Sequence, residues 1–355
     1  MSPIQTGVAS TTFDVTAIDS AALKNDVTYA FAVRGIDSFG NTSLVSDVFF
    51  GTPKAIDDFY NHYRGSGGEN QGGCATLGNA GWIVALLGLA LLFRRKRSGA
   101  ALLLAATIGA GAGARAEEER FSKSEERFLK ADERPPRRLL FALKIDRYDP
   151  QIDTEAGLVA QAARPYHDIF HGRAPLRWQL EVDWQVAHPF GALLIGGTVG
   201  YWQNISKGLN HETGLPSDDT ALLDVVPVGL IATYRFDWPA DRFNVPIIPY
   251  AQLGLQKAYW ASFNGRGDVS RFRSAPADSG DRGSGWTTGW TSALGFALAL
   301  DWLDPSLARE AFNDIHLQRT SLFAEYGWTN LTGFGKSKAL ILSDRAWRFG
   351  LALEF

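Results

Sequence analysis

Residues 139–355 read as all-β, an eight-stranded antiparallel transmembrane β-barrel. Three observations predict it: period-two alternation in eight segments, the contrast between their two faces, and an alternation of long and short connections. The segments run over 139–148, 176–187, 191–203, 222–238, 246–260, 286–302, 318–330 and 345–355. The last is the clearest, with Trp347, Phe349, Leu351, Leu353 and Phe355 on one face and Arg348, Gly350, Ala352 and Glu354 on the other. In the second, Trp178, Leu180, Val182, Trp184 and Val186 alternate with Arg177, Gln179, Glu181, Asp183 and Gln185.

Alternation alone fits a soluble barrel with its apolar face turned inward equally well. Eight strands, however, enclose a space only wide enough for packed side chains, and Leu, Phe and Trp from every strand would overfill it. The opposite face is rich in Gly and Ala, which suit a narrow lumen. Aromatic residues end the apolar stripes, as at Tyr201, Trp238, Trp302, Trp328 and Trp347, where membrane barrels place interfacial girdles.

The connections after the odd strands are long, at 149–175, 204–221, 261–285 and 331–344, and those after the second and fourth are short. The connection at 303–317 is long, but it opens as a helix with Asp304 as cap and Pro305 at the first position. An even strand count returns the chain to its starting side. Both barrel ends are therefore expected in the periplasm and the long loops outside.

Composition limits what precedes and surrounds the barrel. The 355 residues carry a formal net charge of −3, which gives no footprint for nucleic acid, and one Cys excludes an internal disulfide or a thiolate cluster. No cofactor motif is present, and none is expected. Residues 1–53 show short alternating runs such as Tyr29, Phe31 and Val33 around the turn Asp37-Ser38-Phe39-Gly40-Asn41. Residues 54–73 read as a linker, Gly-rich and flexible from 65 onward. Residues 74–97 hold Cys74, an apolar run and the cluster Arg94-Arg95-Lys96-Arg97. Residues 98–116 add a second apolar run and the sequence Ala114-Arg115-Ala116, so that basic, apolar and small residues succeed one another as in an export signal. The alternative is a two-helix membrane hairpin with its arginines in the cytoplasm. Residues 117–138 form a charged, Pro-broken linker.

Several stretches resemble known families. The run "NDVTYAFAVRGIDSFGNTSLVSD" resembles the C-terminal half of a fibronectin type III domain, which implies a partial sandwich with an exposed edge. The order of Cys74, apolar helix and terminal arginines resembles the MYXO-CTERM sorting tag, which implies processing near Cys74. Its position inside the chain, followed directly by an export signal, is what a fusion of two coding units would leave. "RYDPQIDTEAG", "PYHDIFHG" and "LEVDWQ" look like a myxobacterial family of outer-membrane barrels, implying fold and location over 138–355. The final strand resembles the signal read by the outer-membrane assembly machinery, which assigns insertion to Trp347, Phe349, Leu351, Leu353 and Phe355.

Inward charges of both signs, Lys144, Arg177, Arg235 and Arg348 against Asp146, Glu181, Asp183, Asp237, Asp301, Glu325 and Glu354, are expected to pair across the lumen and plug it, because unpartnered buried charge is costly. A proton or ion path is the alternative. His167 and His171 have helical spacing beside Asp168, but Gly172 and Pro175 argue for a solvated loop over a metal site. His211 with Ser217, Asp218 and Asp219 are the candidates for an outer-rim hydrolase, without a triad signature. Arg266-Gly267-Asp268 reads as a turn, with Arg271 and Arg273 near enough to meet lipopolysaccharide phosphates. The expected product is a monomeric outer-membrane barrel with a structural or surface-interaction role. A lipid-modifying enzyme and a narrow solute channel are the alternatives.

Overall fold

Side chains that alternate across a strand give a closed sheet one inner and one outer face, and in this protein the two faces are inverted relative to a soluble barrel. The computed structural model describes residues 21–72 and 137–355 except 189, 244, 275–280 and 337, together with 15, 17 and 18. The processing and cleavage calls at Cys74, Ala114 and Ala116 lie outside these residues.

Ahead of the barrel come β1 (Ala17–Ile18), β2 (Ala21–Ala22), β3 (Tyr29–Phe31), β4 (Phe49–Gly51), β5 (Ile56–Asp57) and helix α1 (Phe59–Gly65). The barrel strands are β6 (Leu139–Arg147), β7 (Leu176–Ala187), β8 (Ala192–Asn210), β9 (Pro216–Arg235), β10 (Ile247–Phe263), β11 (Ser284–Ala299), β12 (Arg319–Asn330) and β13 (Asp344–Glu354). Between them lie α2 (Ala156–Ala160), α3 (Pro165–Phe170), α4 (Trp238–Phe243) and α5 (Pro305–Ile315). Each barrel strand pairs antiparallel with its neighbour in sequence, and β6 pairs with β13 from Asp146↔Arg348 to Leu140↔Glu354, which closes the ring. Phe355 locks the seam: its N–H donates to Leu139 O at 2.8 Å and its carbonyl accepts from Leu139 N at 3.1 Å.

Trp178, Leu180, Ile195, Leu253, Leu294, Phe296, Trp347 and Phe349 are all exposed, whereas Lys144, Asp146, Arg177, Glu181 and Glu325 are buried. Apolar outside and charged inside is the arrangement of a barrel whose solvent is lipid. Along β7 the outward residues from Leu176 to Val186 span about 33 Å of strand, or about 25 Å of height at a tilt near 40°, matching the hydrocarbon band of a bilayer. Around one rim Tyr326 packs on Trp328 and Trp347 with ring centroids 4.8 and 5.4 Å apart, while Trp184, Trp238 and Trp302 stand exposed or nearly so near the other.

The rim bearing Leu139 and Phe355 is called the terminal end, and the opposite rim the loop end. At the terminal end α5 begins on Asp304, whose carboxylate accepts from Ser306 N at 3.0 Å and Leu307 N at 3.1 Å, as the Asp-Pro pair predicts. The loop end departs from expectation in two places. Residues 204–221 are not a long loop but strand: β8 and β9 run on as a projecting hairpin that turns only between Asn210 and Pro216. Its polar residues do not break the strand because beyond the lipid both faces can meet water. Residues 149–175 fold into a 3-10 turn, α2 and α3, with Tyr166, Ile169 and Phe170 buried, in place of a solvated loop.

The strands before residue 54 form two separate two-stranded sheets, β1 with β2 and β3 with β4. Phe39, Leu44 and Phe50 stand 89%, 94% and 75% exposed, so the described part of this fragment has no core of its own.

Candidate functional site

Two regions inside the ring carry the polar chemistry: the lumen and the mouth at the loop end. The lumen is built by inward positions of all eight strands, and register alone decides which charges meet. At its centre Lys144 Nζ on β6 lies 2.7 Å from Glu181 on the adjacent β7 and 3.1 Å from both oxygens of Glu325 on β12. Gln252 donates to Glu181 at 3.1 Å, and Tyr250 OH donates to Glu325 at 2.9 Å. Toward the loop end Arg177 is bidentate on Asp146 at 2.5 and 3.1 Å and lies 4.2 Å over the Tyr148 ring. Arg348 bridges these layers, 3.6 Å from Asp146 and 3.4 Å from Glu325. At the terminal end Arg235 is 2.7 Å from Glu354, and Arg137 lies 3.6 Å from both Glu354 and Asp237.

Asp301 reaches this network at the terminal rim through Arg319, which lies 4.0 Å from both Asp301 and Glu354, and Asp301 also accepts from Thr320 N at 3.1 Å. Between the central and terminal charges lies an apolar layer of Leu140, Leu194, Ile248 and Phe323, with Ala142, Ala297 and Ala352 filling between them. Close packing of this kind has consequences for sequence. A Cβ at Gly196 would fall 1.9 Å from Asp183 Oδ1 and 2.2 Å from the Val182 carbonyl, so only glycine fits beside Asp183. Two cavities between these side chains measure about 20 and 10 Å3, the larger lined by Lys144, Glu181, Asp183 and Arg235. A cavity of about 20 Å3 has room for one water and for no larger solute.

The mouth contains a feature the sequence reading placed in a linker. Residues 54–72 do not form a flexible connection but enter the loop end of the ring. β5 adds to β8 through Ile56↔Asn210 and Asp57↔Leu209, and α1 fills the opening with Phe59, Tyr60 and Tyr63 at 0% exposure. Asp58 caps α1 by accepting from Asn61 N at 2.9 Å. Phe59 packs on Phe170 and Tyr166 of α3 with centroids 5.6 and 6.4 Å away, and Tyr60 packs on Trp260 at 6.0 Å. Tyr63 OH donates to Glu155 at 2.5 Å, Tyr60 OH to Asp281, and Arg64 pairs with Asp281 at 3.0 Å. Phe59, Tyr60 and Tyr63, at i, i+1 and i+4 behind an Asp cap, are the helical signal by which this element could have been found.

Burial raises the Glu155 carboxyl above its ordinary value despite the hydrogen bonds from Tyr63 and from Glu69 N, and burial likewise raises Asp58 and Asp153. A carboxyl whose folded value lies above its unfolded one favours the closed mouth below the ordinary carboxylate range, and that contribution is lost as pH rises through the raised value. Amide protection factors in α1 should therefore fall from pH 5 to pH 8, and Glu155→Gln should reduce the dependence. Equal protection at the two pH values would refute this assignment.

The other candidates are dispersed. His167 lies in α3, with Asp153 accepting from the backbone N–H of Tyr166 and His167, and His171 ends that helix in the left-handed region at φ 54°. Gly172 follows the helix without preventing it. No group of three or more metal-binding side chains occurs among the described residues. His211 Nδ1 lies 2.8 Å from Asp57, while Ser217 Oγ donates to the Gly208 carbonyl and Asp218 meets Lys207 at 3.1 Å. Arg266-Gly267-Asp268 is a tight turn headed by Asn264, whose side chain accepts from the N–H groups of Arg266 and Asp268. Arg266, Arg271 and Arg273 line an open cavity of about 820 Å3 beside Lys54 and Asp219. Arg273 is committed to the entering segment, 3.1 Å from Asp57 and 2.7 Å from the Ile56 carbonyl.

Fold, inverted faces and filled lumen define the class: an eight-stranded transmembrane β-barrel with a segment of its own chain seated in the mouth. No protein-family model matches the chain, and no curated protein matches its sequence. Among solved structures it is similar to Neisserial surface protein A, at 12% identity and TM-score 0.33, over 61% of this chain and 96% of that one. It is also similar to Ail, the attachment invasion locus protein of Yersinia pestis. With the heparin analogue sucrose octasulfate bound, Ail gives 11% identity and TM-score 0.29, over 61% of this chain and 97% of that one. A second structure of Ail gives 13% identity and TM-score 0.27 over the same shares.

Proposed function

We propose that the protein is a monomeric bacterial outer-membrane barrel with a structural or surface-interaction role, its terminal end in the periplasm and its loop end outside. The observation that carries this is the lumen, which layers of paired charge and an apolar layer occupy, with a cavity of about 20 Å3 beside Lys144 and Glu181. A filled lumen conducts nothing and leaves the outer loops as the part that meets the surroundings. On this reading Trp347, Phe349, Leu351, Leu353 and Phe355 are what the assembly machinery binds, and Arg266 and Arg271 face lipopolysaccharide phosphates. Ala114-Arg115-Ala116 ends the barrel's export signal, and Cys74 belongs to a sorting tag of the segment ahead.

The rival readings separate cleanly. A channel requires a continuous aqueous path. In planar bilayers the purified chain should give no steady single-channel current, and a reproducible unitary conductance would overturn the plugged reading. An outer-membrane lipid-modifying enzyme would need His211, Ser217 and the nearby acids to converge on one point. Ser217 donates to a backbone carbonyl and His211 is engaged by Asp57 instead.

A further inference from the structure

Residues 54–72 and the mouth fit each other as two partners do. Phe59, Tyr60 and Tyr63 are fully buried anchors, ringed by hydrogen bonds from four separate parts of the barrel. Glu155 after β6 takes Tyr63 OH and accepts from Glu69 N at 2.8 Å. The hairpin of β8 and β9 supplies the edge to which β5 adds, a mode of recognition carried by main-chain bonds. After β10, the Arg271 carbonyl accepts from Asn61 Nδ2 at 3.0 Å and Arg273 N donates to Asn61 Oδ1 at 2.9 Å. After β12, the Lys338 carbonyl accepts from Asn70 Nδ2 at 2.8 Å. The fit extends to the last residue: Gly72 has φ +66°, and a Cβ there would fall 1.6 Å from the Arg282 carbonyl oxygen.

The chain leaves this segment at the loop end and resumes at Arg137 at the terminal end, on the far side of the band that lies in lipid. Between the two points lie residues 73–136, which hold the apolar runs of 74–97 and 98–116. The sequence supplies a place to divide the chain there, since Ala114-Arg115-Ala116 reads as a cleavage site between Gly72 and Arg137.

We propose that the mouth is a receptor for the aromatic segment 55–72 and holds it, together with the strand fragment that precedes it, without the covalent link through residues 73–136. The barrel then acts as a surface anchor for a separate polypeptide that carries this segment. Holding such a segment deepens the surface-interaction role proposed above and rests on it for orientation.

The full-length chain with a specific protease site inserted after Gly73 tests it. Cut in detergent and passed over a sizing column, the fragment ending at residue 73 should co-elute with the barrel, and excess synthetic peptide of residues 55–72 should displace it. Tyr60→Ala and Tyr63→Ala should leave the barrel's heat-modifiable gel shift intact and release the fragment roughly thirtyfold faster each, as loss of a buried aromatic anchor does. Separation of the wild-type fragment on cutting would overturn the proposal. So would retention unchanged in the double variant, or displacement by a scrambled peptide as effective as the native one. Retention in detergent is independent of membrane orientation, so a failure of the outer-membrane reading would show separately, as lack of labelling of the 1–53 fragment on intact cells.

Discussion

Lys144→Met should destabilise the barrel by about 3–5 kcal/mol, the cost of leaving buried charge without its partner. Lys144 is 3% exposed and is the cation nearest the lumen's centre, 2.7 Å from Glu181 and 3.1 Å from Glu325. Removing it leaves Glu325 with Arg348 at 3.4 Å but strips Glu181 of its ion pair, with Asp183 two residues along the same inward face. Two carboxylates side by side in the lumen then repel each other with no cation between them. The triple change Lys144→Met, Glu181→Gln and Glu325→Gln should recover most of the loss, because removing both signs of a buried pair is far cheaper than removing one. Urea unfolding in lipid vesicles, followed by Trp fluorescence, measures both. A single variant within about 0.5 kcal/mol of wild type, the range of an ordinary surface substitution, would show that the network contributes no stability.

Deletion of Phe355 should cut the yield of folded barrel about tenfold or more. Three backbone hydrogen bonds close the seam at this residue: to Leu139 O at 2.8 Å, and from Arg138 N and Leu139 N at 2.8 and 3.1 Å. At about 1 kcal/mol each they contribute about 3 kcal/mol, and their loss frays the terminal end of the seam between β6 and β13. The ring packs edge-on against Phe141 with centroids 5.8 Å apart. Phe355→Ala keeps the backbone and removes the ring, so it separates seam closure from recognition by the assembly machinery. If insertion in cells falls as far with Ala as with the deletion, while refolding of purified chain into lipid is restored, the ring serves recognition. Normal folded yield from the deletion would refute both roles.

The charges of the lumen show how far local pattern reaches. Lys144, Asp146, Arg177, Glu181, Asp183, Arg235, Glu325, Arg348 and Glu354 face inward because each occupies the phase opposite to Leu, Phe and Trp in its own strand, and buried Asp237, two residues past the end of β9, keeps that phase. Asp301 lies past the end of β11 and meets the network at the terminal rim through Arg319. Where a strand stops is set by its partner, not by its own alternation. The same reason governs residues 204–221, whose polar composition reads as loop but which pair as a hairpin once β8 and β9 lie side by side.

What the amino-acid sequence determined by itself was therefore the number of barrel strands, the side each residue faces and the lipid-facing character of the outer surface, all properties of period-two patterning within single segments. Tertiary structure alone decided that Lys144 bridges β7 and β12, that the loop after β6 folds into helices against the mouth, and that Phe59, Tyr60 and Tyr63 fill that mouth from a segment some eighty residues upstream of the first barrel strand. These contacts join parts of the chain that share no repeat, so their selection rests on shape and hydrogen-bond complementarity that exists only once the ring has closed.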